Sequence, residues 1–271
     1  MPEILTSRQR AIIDIARVEG NVDVDALAAR FDVSPQTIRR DLNILCDHEQ
    51  LKRVHGGAVL GNTQVNLGYR ARRHIATEAK RRIGALTASL IDDGSSLFIN
   101  IGTTNEQVAR YIGKKHALMV ITNNVQVVTR LMGAAGVELI VAGGVVRHED
   151  GGIVGGRATE FLSQFRVDYA IIGASAIDED GTLLDYDYRE VQVARAIIDH
   201  ARSVILVSDS SKFERSAPIR IENISSVDHF VTDTKPPDPF INVCERHNVT
   251  VHIADRETEM PEAATAPGDR E

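Results

Sequence analysis

Ser34-Pro35-Gln36-Thr37-Ile38-Arg39-Arg40-Asp41-Leu42-Asn43-Ile44-Leu45-Cys46 is the stretch on which the reading of this chain turns. Ser34 can cap a helix, because its hydroxyl accepts from the free N–H groups of a first turn. Pro35 then falls at the first helical position, where a missing N–H costs nothing and the fixed φ suits a helix. Ile38, Leu42 and Leu45 recur at helical spacing and form one narrow apolar stripe. Gln36, Thr37, Arg39, Arg40 and Asn43 face away from it. Those side-chain types hydrogen-bond to base edges and phosphates in a DNA major groove. A polar face on one amphipathic helix has a plainer explanation, solvation, so its neighbours must decide.

Upstream, Val24-Asp25-Ala26-Leu27-Ala28-Ala29-Arg30-Phe31 reads as a short helix capped by Asp23 and followed by a tight turn at Asp32-Val33. Helix, short turn and second helix make a helix-turn-helix, here over about 22–41, whose second helix enters the groove. Downstream, Leu51-Lys52-Arg53-Val54-His55-Gly56-Gly57-Ala58-Val59 reads as two short strands around a Gly-Gly turn. Such a wing presents Lys52, Arg53, His55 and Gly56 to the DNA backbone. With Ser34 as cap and phosphate contact, these are the candidate DNA-binding residues. The two runs resemble the N-terminal domain of DeoR-type bacterial regulators, in which S-x-x-T-I-R-R-D-L is followed by L-x-R-x-H-G-G-A. The resemblance implies a winged helix-turn-helix that binds double-stranded operator DNA.

Composition sets the limits around that motif. The chain has 271 residues, enough for a small domain and one of ordinary size. Only 4% of residues are aromatic and none is Trp, which argues against an aromatic stacking surface for RNA or sugars. The net charge of −7 is wrong for a uniformly basic binder. The charge is uneven, however: Arg70, Arg72, Arg73, Lys80, Arg81 and Arg82 face a single acid, Glu78, just after the wing. A local basic footprint is what DNA affinity needs. Placed there, that run is expected to touch the DNA backbone or the neighbouring domain. Cys46 and Cys244 lie far apart, and no Cys/His spacing suggests zinc, so neither disulfide nor metal nor other cofactor is expected. Met1–Arg8 lacks the apolar core of a signal peptide, and no run is long enough to span a membrane. The expected compartment is the cytoplasm.

Along the chain, 5–60 is expected to form the winged helix-turn-helix, opened by a helix from Ser7 to Val18 that stops at Gly20. The turn-rich Gly61–Gly68 begins a linker over 61–75. Tyr69 to Ile91 reads as one long helix. From Ser95 short β-rich runs alternate with helices: Leu97–Ile101, Leu118–Thr122, Val137–Ala142, Asp168–Gly173, Ser203–Val207, His229–Thr232 and Val249–Ile253. Alternation of that kind implies a Rossmann-like, largely parallel sheet covered on both faces, here over 76–255. The charged, Pro/Ala-rich 256–271 is expected to be disordered.

Ligands of such sheets collect at the carboxyl ends of strands. Here those ends read Asn100-Ile101-Gly102-Thr103-Thr104, Thr122-Asn123-Asn124, Ala142-Gly143-Gly144 and Gly173-Ala174-Ser175. Gly102-Thr103-Thr104 opens a helix, so backbone amides, hydroxyls and the helix dipole converge as in a phosphate site. Asp185, Asp187 and Glu190 could accept from sugar or polyol hydroxyls, and Lys212 could pair with a phosphate. A solvated acidic loop and an ordinary surface lysine are the competing readings of those four.

These runs also resemble the sensor domain of DeoR-type regulators, which is related in fold to ribose-5-phosphate isomerase and responds to phosphorylated sugars or polyols. Leu97–Thr104, His148–Gly155, Ser163–Asp168, Asp185–Val191 and Asp209–Phe213 look in particular like the branch that responds to glycerol 3-phosphate. The resemblance implies a repressor released from its operator by that ligand or a close relative, with Gly102, Thr103, Thr104, Asn123, Gly143, Gly144, Asp185, Asp187, Glu190 and Lys212 around it. Repressors on palindromic sites pair, so a homodimer or tetramer is expected. One position departs: family members place a lysine ahead of the arginine in the helix after the acidic loop, where this chain has Ala194-Arg195. A different class of function stays open at this point, an isomerase using Asp185, Asp187 or Glu190 as general base. A third, an architectural DNA binder, leaves the glycine-rich strand ends without a purpose.

Overall fold

The structure, a computed structural model, describes residues 5–19, 21–48, 50–54, 56–60 and 69–255. The expected stop at Gly20, the wing residue His55, the first half of the linker (61–68) and the tail 256–271 lie outside the described residues. The chain forms two compact units, Met1–Ile75 and Ala76–Glu271.

The first unit runs α1 (Ser7–Glu19), β1 (Asn21–Asp23), α2 (Val24–Phe31), α3 (Pro35–Asp47), β2 (Leu51–Val54), β3 (Gly57–Leu60) and α4 (Tyr69–His74). Ile38, Leu42 and Leu45, the stripe of α3, are fully buried against Ile12 of α1, Leu27 of α2, Leu51 and Ala58. The wing is antiparallel, as its Gly-Gly turn implies, with Val54 opposite Gly57. β1 adds a third strand that three residues of sequence did not announce, giving the order β1-β3-β2. It comes so close that a Cβ on Gly57 would lie 1.9 Å from the Val22 carbonyl oxygen. That position therefore admits only glycine.

The long helix expected from Tyr69 to Ile91 is two helices. α4 packs on α1, with Tyr69 buried, so residues 69–74 of the expected linker are helical and belong to the first unit. α5 (Thr77–Ser89) starts after Ala76, which sits at φ 53°. A left-handed residue cannot continue a right-handed helix. No glycine or proline marks the break in sequence.

The second unit continues with β4 (Ser96–Ile99), α6 (Thr103–Ile112), β5 (Leu118–Thr122), α7 (Val125–Leu131), β6 (Val137–Val141), β7 (Val145–Val146), β8 (Ile153–Val154), α8 (Gly156–Leu162) and β9 (Val167–Ile172). Then come β10 (Ala176–Ile177), β11 (Thr182–Asp185), α9 (Tyr188–Asp199), β12 (Ala201–Val207), a 3-10 turn (Ser210–Glu214), β13 (Ile219–Asn223), β14 (His229–Thr232), α10 (Asp238–Arg246) and β15 (Thr250–Ile253). Seven strands pair in parallel in the order β15-β14-β12-β9-β4-β5-β6. Their side chains alternate between two cores. Leu97, Ile99, Val120, Ile171, Ile205 and Val231 pack under α5, α6 and α7. Phe98, Ile121, Ala170, Ile172, Leu206 and Phe230 pack under α8, α9 and α10. This is the doubly wound α/β sheet that the alternating pattern requires. The β7–β8 hairpin and the small antiparallel sheet β10-β11-β13 were not legible; their strands are too short for periodicity to show.

The order in which strands are added reverses between β4 and β9, although both strands run the same way. From β4 the sheet grows through β5 to β6 on one side, and from β9 through β12 and β14 to β15 on the other. The crevice outside the carboxyl ends of β4 and β9 is where open α/β sheets take ligands.

Candidate functional site

In the first unit α3 begins as its sequence dictates. Ser34 Oγ accepts from Thr37 N at 3.2 Å, and Pro35 occupies the first turn. Gln36, Arg39, Arg40 and Asn43 are exposed and Thr37 is half-buried. Neither Arg39 nor Arg40 has a hydrogen bond or ion pair among the described residues. Their neighbour Asp41 is the reverse. Its carboxylate is buried, taking Arg8 Nε at 2.6 Å and Gln9 Nε2 at 3.1 Å from α1. One residue of the Arg-Arg-Asp run thus locks the helix in place, and two are left to reach outward. On the wing Arg53 and Gly56 are exposed.

In the second unit α6 opens at the crevice. Gly102 stands at φ 147°, ψ 140°, backbone space essentially reserved for glycine, and no side chain caps the helix. Thr103 and Thr104 are buried in this first turn. Asn105, fully buried, donates from Nδ2 to the carbonyls of Asn100 and Ile101, both at 3.0 Å, while its Oδ1 has no hydrogen-bond partner. Gly173, at the end of β9, lies against this side chain: a Cβ there would be 3.7 Å from both Asn105 Oδ1 and the Val207 carbonyl of β12.

Beyond the end of β12 lies Asp209, 1% exposed, with Lys212 buried beside it in the 3-10 turn. Burial pushes the Asp209 pKa up, but Lys212 and Lys80 outweigh it and hold the carboxylate below its ordinary range. Lys80 Nζ is 3.9 Å from Asp209 Oδ2, an oxygen without a hydrogen bond. Lys80 corrects the expectation that the whole basic run touches the DNA backbone or the neighbouring domain: its ammonium turns inward to Asp209. It is 2% exposed inside the sensor unit. The signal was present: Lys80 shares the stripe of Ile83, Gly84 and Thr87, all buried on α5.

The acidic loop is not a solvated one. Asp185 is buried and accepts from Ser175 Oγ at 3.2 Å. Asp187 caps α9, accepting from Arg189 N at 2.9 Å. Hydrogen bonds from Arg189, with Arg147 nearby, lower its pKa. Glu190 is buried and receives Arg147 Nη2 at 2.6 Å. Arg147, which sequence reasoning missed, also pairs with Asp150 and Asp187.

Asn123 is buried at the end of β5, but its Nδ2 donates to the Ile153 carbonyl and so holds the β7–β8 hairpin. Gly143 and Gly144 are exposed past the end of edge strand β6, two strands away from the crevice, where they turn the chain into that hairpin. Ala194 is buried in the core, and Arg195 donates to the Ile221 and Arg220 carbonyls of β13. The position where the family carries a lysine therefore faces packing here. No cluster of metal-ligating side chains occurs among the described residues, and no helix among them is long and apolar enough to cross a membrane.

Comparison with known proteins matches both units. Residues 8–64 fit the model of the DeoR-like helix-turn-helix domain, and residues 75–234 that of the DeoR C terminal sensor domain. The chain is 44% identical over 248 residues to the glycerol-3-phosphate regulon repressor of Escherichia coli (strain K12), covering 92% of this chain and 98% of that one. It is 44% identical to the protein of the same name from Haemophilus influenzae, over 84% of this chain and 89% of the other. Similarity to the transcriptional repressor CsqR of Escherichia coli is 37%, over 85% and 88%. Among solved structures, a D-ribose-5-phosphate isomerase in complex with phospho-erythronic acid superposes with a TM-score of 0.38, at 15% identity over 50% of this chain and 53% of that one.

Proposed function

Because the chain belongs to the DeoR family of DNA-binding transcriptional repressors rather than to a family of enzymes, we propose that it represses genes of glycerol and glycerol 3-phosphate metabolism and is released from its operator by glycerol 3-phosphate. The relatives that share 44% identity over nearly their whole length support the regulon. One observation carries the ligand class. An uncapped helix start opens at the crevice between β4 and β9, and past the end of the neighbouring strand β12 two buried lysines, Lys80 and Lys212, flank the single carboxylate of Asp209. Buried cations and the backbone N–H groups of a helix's first turn suit a phosphate.

In this reading the phosphate lies on the first turn of α6 at Gly102, Thr103 and Thr104, neutralised by Lys212 and Lys80. The hydroxyls of the polyol donate to Asp185 or Glu190, while Asp187, expected beside them, has its oxygens filled by Arg189 and Arg147. On the other unit Arg39, Arg40, Gln36, Thr37 and Asn43 read the major groove, while Ser34, Arg53 and Gly56 meet phosphates. The protein acts as a homodimer or tetramer, since paired half-sites need paired helices.

The test is a duplex selected by the full-length chain from random sequence, then titrated with glycerol 3-phosphate, glycerol and inorganic phosphate. Release by glycerol 3-phosphate at concentrations where glycerol has no effect is the expected result. If no concentration of glycerol 3-phosphate releases the duplex, the ligand is another.

A further inference from the structure

The guanidinium of Arg147 joins two parts of the sensor unit that the chain keeps far apart. Arg147 sits in the turn of the β7–β8 hairpin. That hairpin is fastened to the end of β5: Ile153 N donates to the Asn123 carbonyl at 2.7 Å, and Val125 N to the Gly151 carbonyl at 3.0 Å. It therefore goes with the β4–β5–β6 side of the sheet. Asp187 caps α9 and Glu190 lies in its first turn; α9 packs on β9 and β12, the other side, and meets the hairpin at β8. Between them Arg147 uses every nitrogen it has. Nε and Nη2 take Asp150 at 2.8 and 2.6 Å, Nη1 takes Asp187 at 3.0 Å, and Nη2 also takes Glu190 at 2.6 Å.

We propose that Arg147 is a positioning residue that makes the sensor select a hydroxyl-bearing phosphate ester over phosphate itself, by holding Glu190 in reach of the ligand's hydroxyls, with Asp150 and Asp187 as its anchors. This rests on the effector site proposed above. Three carboxylates, Asp150, Asp187 and Glu190, meet two guanidiniums, Arg147 and the half-exposed Arg189, so one negative charge is in excess and the cluster favours hydroxyl donors over anionic groups. Each carboxylate oxygen has two acceptor sites. Those of Asp187 are filled, Oδ1 by the backbone N and Nε of Arg189 and Oδ2 by Arg189 Nη2 and Arg147 Nη1, so the ligand's hydroxyl goes to Glu190, whose Oε2 takes one N–H from Arg147. Without the guanidinium, Asp187 stays held by Arg189, while Glu190 and Asp150 repel one another and Glu190 swings away. A lysine could not replace it, because a point charge lacks the planar fork that reaches several carboxylates at once. Arg147 touches no ligand phosphate in this arrangement, so its effect falls on the ester and not on phosphate.

The experiment measures the affinity of the full-length chain for inorganic phosphate and for glycerol 3-phosphate by calorimetry. It uses wild type, Arg147→Lys and the charge-balanced pair Arg147→Met with Asp150→Asn. Retained phosphate binding reports that each variant still folds its crevice. In wild type the ester binds more tightly than phosphate. In both variants that preference falls by about tenfold, the loss expected for hydrogen bonds to charged groups, while phosphate affinity stays within about twofold. A preference that survives in the variants, with both affinities kept or both reduced together, overturns the role of Arg147 and leaves the crevice as the effector site. A wild type that binds phosphate with no preference for the ester overturns it too. A wild type that binds neither overturns the effector site itself.

Discussion

Arg39→Ala and Arg40→Ala each remove an exposed guanidinium from the outer face of α3, whereas Asp41→Ala removes a carboxylate buried against α1. The three changes should separate cleanly. An arginine that reads a guanine through two bonds costs roughly 1–3 kcal/mol of binding and relaxes specificity at that base when lost. Neither arginine variant should change the thermal unfolding of the chain. Asp41→Ala should lower stability by about 1–3 kcal/mol, because Gln9 Nε2 and the Arg8 guanidinium lose their buried acceptor. Calorimetry beside operator binding checks all three, and arginine variants that bind as wild type would take this helix out of the groove. Lys80→Met poses the same kind of question in the second unit. A lysine on DNA phosphate would lower the salt slope of operator binding by about one when removed. Buried beside Asp209, it should leave that slope alone and abolish release by glycerol 3-phosphate.

The start of α3 and the close strand of the wing make predictions about whole elements. Ser34→Ala removes the cap of α3 and should cost about 0.5–2 kcal/mol, read as a shift in chemical unfolding. Full stability with weakened operator binding would instead mark Ser34 as a DNA contact. Gly57→Ala drives a methyl into the Val22 carbonyl, so β1 must leave β3, and the winged unit should unfold early while effector binding persists. Across β14 and β15, His229 Nδ1 and His252 Nε2 stand 3.2 Å apart. Burial lowers the His252 pKa below its ordinary 6.5, and the charge of His229 lowers it further. The fold therefore prefers neutral His252. The stability this gives is full above the unfolded value of about 6.5 and is lost as pH falls through the lower folded value. Urea midpoints of wild type should drop from pH 7.5 to pH 5.5 by more than those of His252→Asn; equal drops would refute the pair as their source.

For the molecule as a whole, repression and release reside in different units, so they should be separable by mutation. A ligand that binds both arrangements equally shifts neither, so the inducer must prefer the DNA-free one. Thr104→Val and Lys212→Ala, both in the second unit, should repress normally yet resist induction. Coupling of this kind is typically about 1–3 kcal/mol, or roughly 5–150-fold in operator affinity, so even a partial loss of effector binding should appear as a shifted release curve. Operator titrations with glycerol 3-phosphate for wild type and both variants check it. Release that persists unchanged in both would move the effector site elsewhere.

What could be read from one dimension was chemistry that acts over a few residues. Ser34-Pro35 starts a helix wherever it stands, the Gly56-Gly57 turn makes a hairpin, and strands buried on both faces spell themselves out as runs such as Leu118–Thr122. Those local rules, with the family resemblance, were enough for a winged helix-turn-helix followed by a parallel sheet, and for Gly102-Thr103-Thr104 as a helix start that suits an anion. The break at Ala76 escaped because a left-handed alanine leaves no composition signal. Lys80 escaped for another reason: the stripe it shares with Ile83 and Thr87 was visible, but charge was counted before periodicity. Arg147 could not have been placed from sequence, since only Asp150 of its partners is a near neighbour and the other two lie 40 and 43 residues further on. Only when the strand order reverses between β4 and β9 do a hairpin turn and the start of α9 meet, and only the packed fold brings one guanidinium within reach of three carboxylates.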